Sequence, residues 1–540
     1  MSELLAPPDL ASPLAQPADA PLAPEASEEL ARFAALQDGF RDQFERVFPD
    51  RMAPRTVVVV PSLSLPAEEL KKIHGVHHYE ERMLFTLMLL RMPRTRLIYV
   101  TSQPIAPGIV DYYLNLLPGI PSVHARERLL LVSCHDASER PLAEKVLDRP
   151  RLLKRLRRAI PDPASAHLTC FNSTPLERTL AVQLGVPLYA CDPALGYWGT
   201  KSGSRRIFRE AGIALPDGAE DLRDMDDVAA ALAAIKRRTP ALRKAVVKLN
   251  EGFSGEGNAV FAYDGAPAAG LEAWIRMTLP GRLAYEASGE TWEHFSSSYA
   301  EMGGIVEAWV DGAIKASPSV QCRIDPLGRS AVVSTHDQVL GGPSGQVFLG
   351  CTFPADSVYR EGVSRAGARI GEVLADKGAI GRFGVDFVSV REGSAWTSYA
   401  IEINLRKGGT THPYDMLEFL TDGAYDAASG LYRDPSGRAR YYLASDNLVS
   451  EAYRGLTPRD LLDIAVENRL HFHGAQQEGV VFHLIGALSE YGKLGVLCIG
   501  DSPSRARDLY DETVRVLDAE TAHSPEASGA RGVSARVGTE

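Results

Sequence analysis

At 540 residues, with 45% hydrophobic and 24% charged residues, the chain has a soluble globular composition and room for about three domains. Its net charge of −11 disfavours a nucleic-acid or anionic-membrane partner, and no apolar run approaches the ~18 residues that span a bilayer. Six scattered cysteines (134, 170, 191, 322, 351 and 498) include no CxxC pair, which favours reduced thiols in a cytoplasmic compartment over a disulfide framework or zinc site.

Residues 1–28, rich in Ala, Pro, Glu and Ser and without a period, read as a disordered leader. The start MSELLAPPDL carries no secretory pattern. From 45 to 198 short apolar runs alternate with helical segments. TVVVVPSL (56–63) precedes a helix around Tyr79–Leu90, and RLIYVTS (96–102) precedes Val110–Leu117. RLLLVSC (128–134) precedes a long helix to Ile160, and HLTCF (167–171) precedes Pro175–Leu184. Strand–helix alternation with continuous apolar strands predicts a parallel sheet covered on both sides. The basic run RLLKRLRRAI (151–160) keeps leucines at helical spacing and reads as a solvated helix face. A helix from about Ser202 to Ala211 stops at Gly212, and a smaller α/β unit follows, with strands AVVKLN (245–250) and NAVFAY (258–263). GGIVEAWVDG (303–312), antiparallel strands over 316–353 and an amphipathic helix at about 363–376 lead into a hairpin. Residues 440–518 read as a C-terminal α/β domain and 519–540 as a disordered tail.

The hairpin, residues 381–412, organises the candidate chemistry. Phe383–Val390 and Ser398–Leu405 alternate with period 2 around a glycine-containing turn near 392–395. If Asp386 lies opposite Glu402, then Asp386, Glu402 and Asn404 project from one face, with Val385, Phe387, Ile401, Ile403 and Leu405 on the other. Two carboxylates and an amide gathered on one face suit a hard cation such as Mg²⁺ (or Mn²⁺) bridging nucleotide phosphates. A solvated strand face is the alternative.

The glycine-rich stretch Lys248–Asn258 lies between two strands, so it is a hairpin tip and not a P-loop or a dinucleotide-binding turn. Its backbone amides can lie over phosphates, with Lys248 supplying a point charge. Glu307-Ala-Trp309-Val310 ends an apolar strand and would pair its backbone edge with an adenine, while Lys201 stands before the helix entering the smaller unit.

In this order the motifs resemble the ATP-grasp superfamily over about 200–415. Three stretches, STHDQVLGGPSGQVFLG (334–350), GRFGVDF (381–387) and EINLRKGGTTHP (402–413), resemble the pheganomycin-type peptide ligases over roughly 45–518. The resemblance implies an α/β chain with an ATP-grasp fold over 199–420 (lid about 205–305), between an N-terminal parallel-sheet, pre-ATP-grasp-like domain and the C-terminal α/β domain. It implies that Lys201 and Lys248 contact ATP phosphates and that Gly252, Ser254, Gly255, Glu256 and Gly257 form the lid loop. Glu307 and Val310 would then meet the adenine, and Asp386, Glu402 and Asn404 would hold Mg²⁺. The arginine often found two residues before the metal-binding aspartate is replaced here by Gly384, and Arg382 stands four before it.

These residues imply an ATP-dependent carboxylate–amine (peptide) ligase working through an acylphosphate, with small-molecule or peptide carboxylate and amine substrates; homo-oligomerisation stays open. Arg406, two residues after Asn404, is the first choice for the guanidinium at the acyl centre, and Arg323 the second. A phosphotransferase and a non-catalytic ATP-binding scaffold are the alternatives. His336, Asp337 and Gln338 either line the acceptor pocket or cap a turn, and Thr410, Thr411 and His412 either meet the acyl donor or close a tight turn. His471, His473 and His483, and His74, His77 and His78 around a helix start, read as packed or surface histidines, with a metal site as the alternative.

Overall fold

The computed structural model describes residues 24–73, 75–252, 257–341 and 347–522. The chain forms two compact units. One comprises Ala194–Asp311 with Tyr399–Ile403; the other comprises Ala23–Pro193, Gly312–Ser398 and the chain from Asn404 onward. No helix among the described residues is long and apolar enough to cross a membrane.

The larger unit begins with the helix Pro24–Val47, so residues 24–28 are its first turn and not part of a leader. The polar composition that suggested disorder is outweighed by Phe33, Phe40 and Val47, which bury one stripe of this helix. Four strands follow: β1 (Arg55–Val60), β2 (Thr95–Thr101), β3 (Leu129–Ser133) and β4 (Ala166–Cys170). They form a parallel sheet in the order β3-β2-β1-β4, as the alternating pattern predicts. Successive valines of β1 enter two different cores: Val57 and Val59 join one, Val58 and Val60 the other. Burial on both faces is why the strand is apolar at every position. The helical segment Val76–Arg91 is a 3₁₀ helix, and the long helix expected to end at Ile160 is two, Leu142–Leu147 and Pro150–Ala159. Pro150 opens the second helix, where its missing N–H costs nothing.

The smaller unit carries an antiparallel sheet built from β5 (Gly218–Leu222), β6 (Lys244–Leu249), β7 (Asn258–Ala262), β8 (Leu283–Tyr285) and β9 (Gly304–Ala308), in the order β5-β9-β6-β7-β8. Three helices, Met225–Arg238, Leu271–Arg282 and Trp292–Met302, contribute Leu232, Ile275, Phe295 and Tyr299 to its core.

The remaining strands are β10 (Lys315–Ala316), β11 (Pro318–Ile324), β12 (Ser330–Gly341), β13 (Val347–Phe353), β14 (Gly381–Glu392) and β15 (Ala395–Asn404). After them come the small pair β16 (Ala424–Asp426) and β17 (Leu431–Arg433), then β18 (Tyr441–Val449), β19 (Gly479–His483) and β20 (Lys493–Gly500). A nine-stranded sheet runs β10-β14-β11-β12-β13-β18-β20-β19, with β15 paired to β14. Within residues 440–518, β18, β19 and β20 extend the sheet that carries the hairpin. Local period shows that these segments are strands but does not reveal which edge they join. The junction depends on Gly350, where a Cβ would sit 2.2 Å from the Ala444 carbonyl oxygen across the β13–β18 ladder. Helix Arg360–Asp376 covers one face of this sheet, with Gly367 close against Val320 and Cys322.

Gly350→Ala is expected to destabilise the larger unit by about 1–3 kcal/mol, because a methyl forced against a backbone carbonyl must push the ladder apart. A lowered urea midpoint checks this; an unchanged midpoint shows that the β13–β18 seam yields without cost.

Candidate active site

The hairpin turn is Gly393–Ser394, with Gly393 at φ 61°, so it is one-half residue off the centre expected from an Asp386–Glu402 pairing. Ser389 and Ser398 stand across the hairpin with their Oγ atoms 2.7 Å apart. Regular alternation from that pair would put Asp386 and Asn404 on opposite faces. They meet nonetheless: Asn404 Nδ2 donates to Asp386 Oδ2 at 3.0 Å. Within β15, Ala400 N donates to the Ala214 carbonyl and Ile403 N to Ser204 Oγ, both at or just beyond the helix Lys201–Glu210. Amides three residues apart pointing the same way break the two-residue alternation, as one extra residue in a strand does. This shift brings Asn404 to Asp386. The expected apolar face is present, with Val385, Phe387 and Ile403 buried.

Asp386 lies in β14 opposite Ser319 of β11, and the same ladder sets Gln321 against Gly384 and Arg323 against Arg382. Gln338 of β12 donates its Nε2 to Asp386 Oδ1 at 2.6 Å, so two amides hold the two carboxylate oxygens. Its neighbours serve elsewhere: His336 meets the Tyr442 hydroxyl at 2.6 Å, and Asp337 accepts from Tyr359 Oη and Asp356 N. A Cβ at position 384 would lie 2.7 Å from Gln321 Nε2, so Gln321 fills the space that a side chain there would need.

Strand β15 ends at Asn404, so Arg406 is not on the strand face as expected but in the loop after it. Its Nη1 donates to the Lys407 carbonyl, and its guanidinium carbon lies 6.0 Å from the Phe171 ring centre. Arg323 is exposed on β11. Arg382 is committed to Asp415 at 2.6 Å. The site includes a cation that sequence reasoning passed over. Lys407 donates to Thr169 Oγ1 and the Cys170 carbonyl at the end of β4, and burial holds its ammonium below the usual lysine pKa. Its position straight after Arg406 was the one available signal. Thr411 Oγ1 accepts from Gly408 N and reaches Gln321 Oε1 at 3.3 Å, closing the Gly408–Thr411 turn. His412 packs on His483 with ring centres 3.9 Å apart, and burial lowers its pKa well below the usual value.

In the smaller unit, Lys201 opens the helix Lys201–Glu210, whose N-cap Thr200 accepts from Gly203 N. Its Nζ stands 3.5 Å from Glu402 Oε1 and 3.9 Å from where a Cβ on Gly252 would be. Asn250 fixes this corner: its carbonyl accepts from Lys201 N, its Oδ1 from Ser202 N, and its Nδ2 donates to the Met302 carbonyl. Leu249 N donates to the Gly257 carbonyl, so the base of the glycine loop is closed. Ser254, Gly255 and Glu256 lie outside the described residues, as do His74 and Gly342.

Lys248 and Glu307 form an ion pair at 2.7 Å, and Arg205 meets the other Glu307 oxygen at 2.5 Å; all three are buried. Arg205, one helical turn after Lys201, went unrecognised, although the i, i+4 spacing was visible. Glu307 lies within the sheet, with Gly218 of β5 on one side and Val246 of β6 on the other. Its peptide group therefore has strands on both edges, contrary to an adenine-facing role. Trp309 N donates to the Lys244 carbonyl just past the strand end, and Val310 follows. The six cysteines are buried and unbridged, and burial raises the Cys134 thiol to about 11 and Cys191 to about 12, which leaves no activated thiolate among them.

Residues 194–264 and 281–428 match a family model described as IQCH-like, ATP-grasp, and residues 460–513 match one described as the PGM1 C-terminal domain. The L-propargylglycine–L-glutamate ligase of Streptantibioticus cattleyicolor is 34% identical over 474 residues, covering 86% of this chain and 94% of that one. IQ motif-containing protein H of Danio rerio is 25% identical over 431 residues, 71% of this chain and 40% of that protein. Among solved structures, biotin carboxylase from Campylobacter jejuni in its β,γ-ATP complex has a TM-score of 0.51 at 11% identity, over 88% of this chain and 96% of that one. That likeness concerns the fold alone. The ligase identity extends along almost the whole length of both chains, and with the ATP-grasp model it places this protein among the ATP-grasp ligases related to the pheganomycin-type peptide ligases, ATP-dependent enzymes that form C–N bonds.

Proposed function

We propose that the protein joins a carboxylate to an amine as a peptide-type bond by way of an acylphosphate, releasing ADP and phosphate. The observation that carries this reading is the Asp386 carboxylate held by the amides of Gln338 and Asn404, with Glu402 two residues earlier in the same strand. Asn404 spends its Nδ2 on Asp386, which leaves its oxygen to complete an all-oxygen set with Asp386 and Glu402. Such a set fits Mg²⁺ (or Mn²⁺) and not a soft metal. When bound, the cation neutralises charge on the transferring phosphoryl group.

A free carboxylate does not acylate an amine, because the leaving group would be oxide. A donor carboxylate oxygen attacks the γ-phosphorus of ATP and ADP departs. The amine nitrogen then attacks the acyl carbon, the C–O bond to phosphate breaks, and the nitrogen loses a proton. In this scheme Lys201 and Lys248 hold the phosphates as point charges, and water that would hydrolyse an acylphosphate must be kept out. Val310, past the end of β9, is assigned to the adenine. Glu307 is assigned to aiming Lys248, which its ion pair supports. Arg406, with Arg323 as second choice, holds the donor carboxylate and then the tetrahedral oxyanion. The name of the Streptantibioticus relative pairs two amino acids, which supports amino acids or short peptides as both substrates.

A screen of paired amino acids and short peptides for substrate-dependent ADP release, with products weighed, is expected to yield an amide, ADP and phosphate. A stable phosphorylated product would instead make the protein a phosphotransferase, and nucleotide binding without turnover a scaffold. Glu402→Gln is expected to lower ADP formation by at least about 100-fold with the melting temperature preserved, since a ligand to the metal matters more than its outer partners. Near-normal turnover would remove Glu402 from the metal set. Arg406→Ala is expected to reduce kcat/KM for the acyl donor by about 10²–10³, the usual cost of losing an oxyanion donor, while ATP affinity changes little. Equal kinetics for both proteins across donors would exclude Arg406.

A further inference from the structure

Away from the hairpin, within the larger unit, His77 and His78 of the 3₁₀ segment Val76–Arg91 face Glu490 of the short helix Leu488–Tyr491. One ligand atom from each lies within 4.8 Å of the other two. We propose that these three side chains form a Zn²⁺ site, distinct in chemistry and place from the all-oxygen set at Asp386.

The distances favour a shared ion over direct contacts. His78 Nε2 stands 3.6 Å from Glu490 Oε2, too far for a hydrogen bond. Two ligands each about 2.1 Å from a tetrahedral centre lie about 3.4 Å apart, close to that spacing. His78 Nε2 is also buried with no hydrogen-bond partner among the described residues, an orphan that a metal would satisfy. Behind the ring, His78 Nδ1 faces Glu81 Oε1 at 3.5 Å, and Glu81 is itself held by Gly486 N through Oε2 at 3.1 Å. A carboxylate behind the far nitrogen of a histidine is the arrangement that orients metal-ligating imidazoles. Gly486 permits it, because a Cβ there would lie 2.1 Å from Glu81 Oε1 and 2.6 Å from His78 Nδ1.

The ligand class follows from the donors. Two imidazoles and one carboxylate are borderline ligands that suit Zn²⁺, whereas Mg²⁺ and Ca²⁺ prefer oxygen throughout. The His77 ring centre lies 4.2 Å from that of His78. His77 and His78 also line a cavity of about 240 Å³ together with Glu80, Glu81 and Ile105. A bound ion would tie the segment after β1 to the segment between β19 and β20, strengthening the join between the parallel sheet and the C-terminal strands.

Metal-stripped full-length protein, titrated with Zn²⁺ against a chromophoric chelator, is expected to bind one equivalent and to melt at a higher temperature when loaded. Co²⁺ is expected to give the visible absorption of a tetrahedral site. Glu490 is 60% exposed, so Glu490→Ala tests the site without disturbing a core, and His78→Ala tests the buried ligand. Each is expected to weaken Zn²⁺ binding at least about tenfold and to abolish the thermal shift. Failure of the wild-type protein to bind an equivalent, or equal Zn²⁺ affinity in wild type and Glu490→Ala, overturns the proposal. None of these readouts depends on ATP turnover.

Discussion

The two oxygens of Asp386 are held by two neutral amides, and the proposed metal set rests on that arrangement. Gln338 and Asn404 fix the carboxylate's orientation without contributing a positive charge that would compete with a cation. The nearby guanidinium of Arg382 is kept away from this duty by Asp415. In the smaller unit Glu307 binds both Lys248 and Arg205 and so positions Lys248 through a buried ion pair. The charges of Asp386 and Lys248 are thus oriented by groups that are themselves buried or neutral. Breaking such a pair is costly because the remaining charge loses its counterpart in a poorly solvated place.

Strand β15 carries the consequence along the chain. Its hairpin partner and the Ser389–Ser398 contact set one phase, and the hydrogen bonds of Ala400 and Ile403 to the Lys201 helix region impose another. The one-residue shift between them lets Asn404 reach Asp386, while Glu402 pairs with Lys201. Irregularities of this sort recur beside active sites because they re-aim side chains that a regular strand would send away. Gly384 has a comparable logic. The absent side chain leaves room for Gln321, whose carbonyl oxygen in turn faces Thr411 at the Gly408–Thr411 turn.

The C-terminal strands are structural members of the sheet that carries the hairpin. β18 and β20 continue the order from β13, and Phe353, Tyr442 and Leu497 share a core with Val57 and Tyr99 of the parallel sheet. A change near the C-terminus can therefore reach the hairpin through continuous packing.

Much of this protein was legible in its residues. The apolar strands β1 to β4, the helix that ends before Gly212 and the hairpin of β14 and β15 all follow from period, turn chemistry and capping, which are local properties. The family was legible too, because its motifs keep a characteristic order along the chain. Pairings at long range were not. Gln338 reaches Asp386 across 48 residues, Arg205 reaches Glu307 across 102 and Lys407 reaches Cys170 across 237. Nothing in a window of a dozen residues records such meetings. The strand phase between Ser398 and Asn404, the loop position of Arg406 and the edge that β18 joins were decided only by tertiary packing, since each depends on which distant backbone supplies the hydrogen bonds.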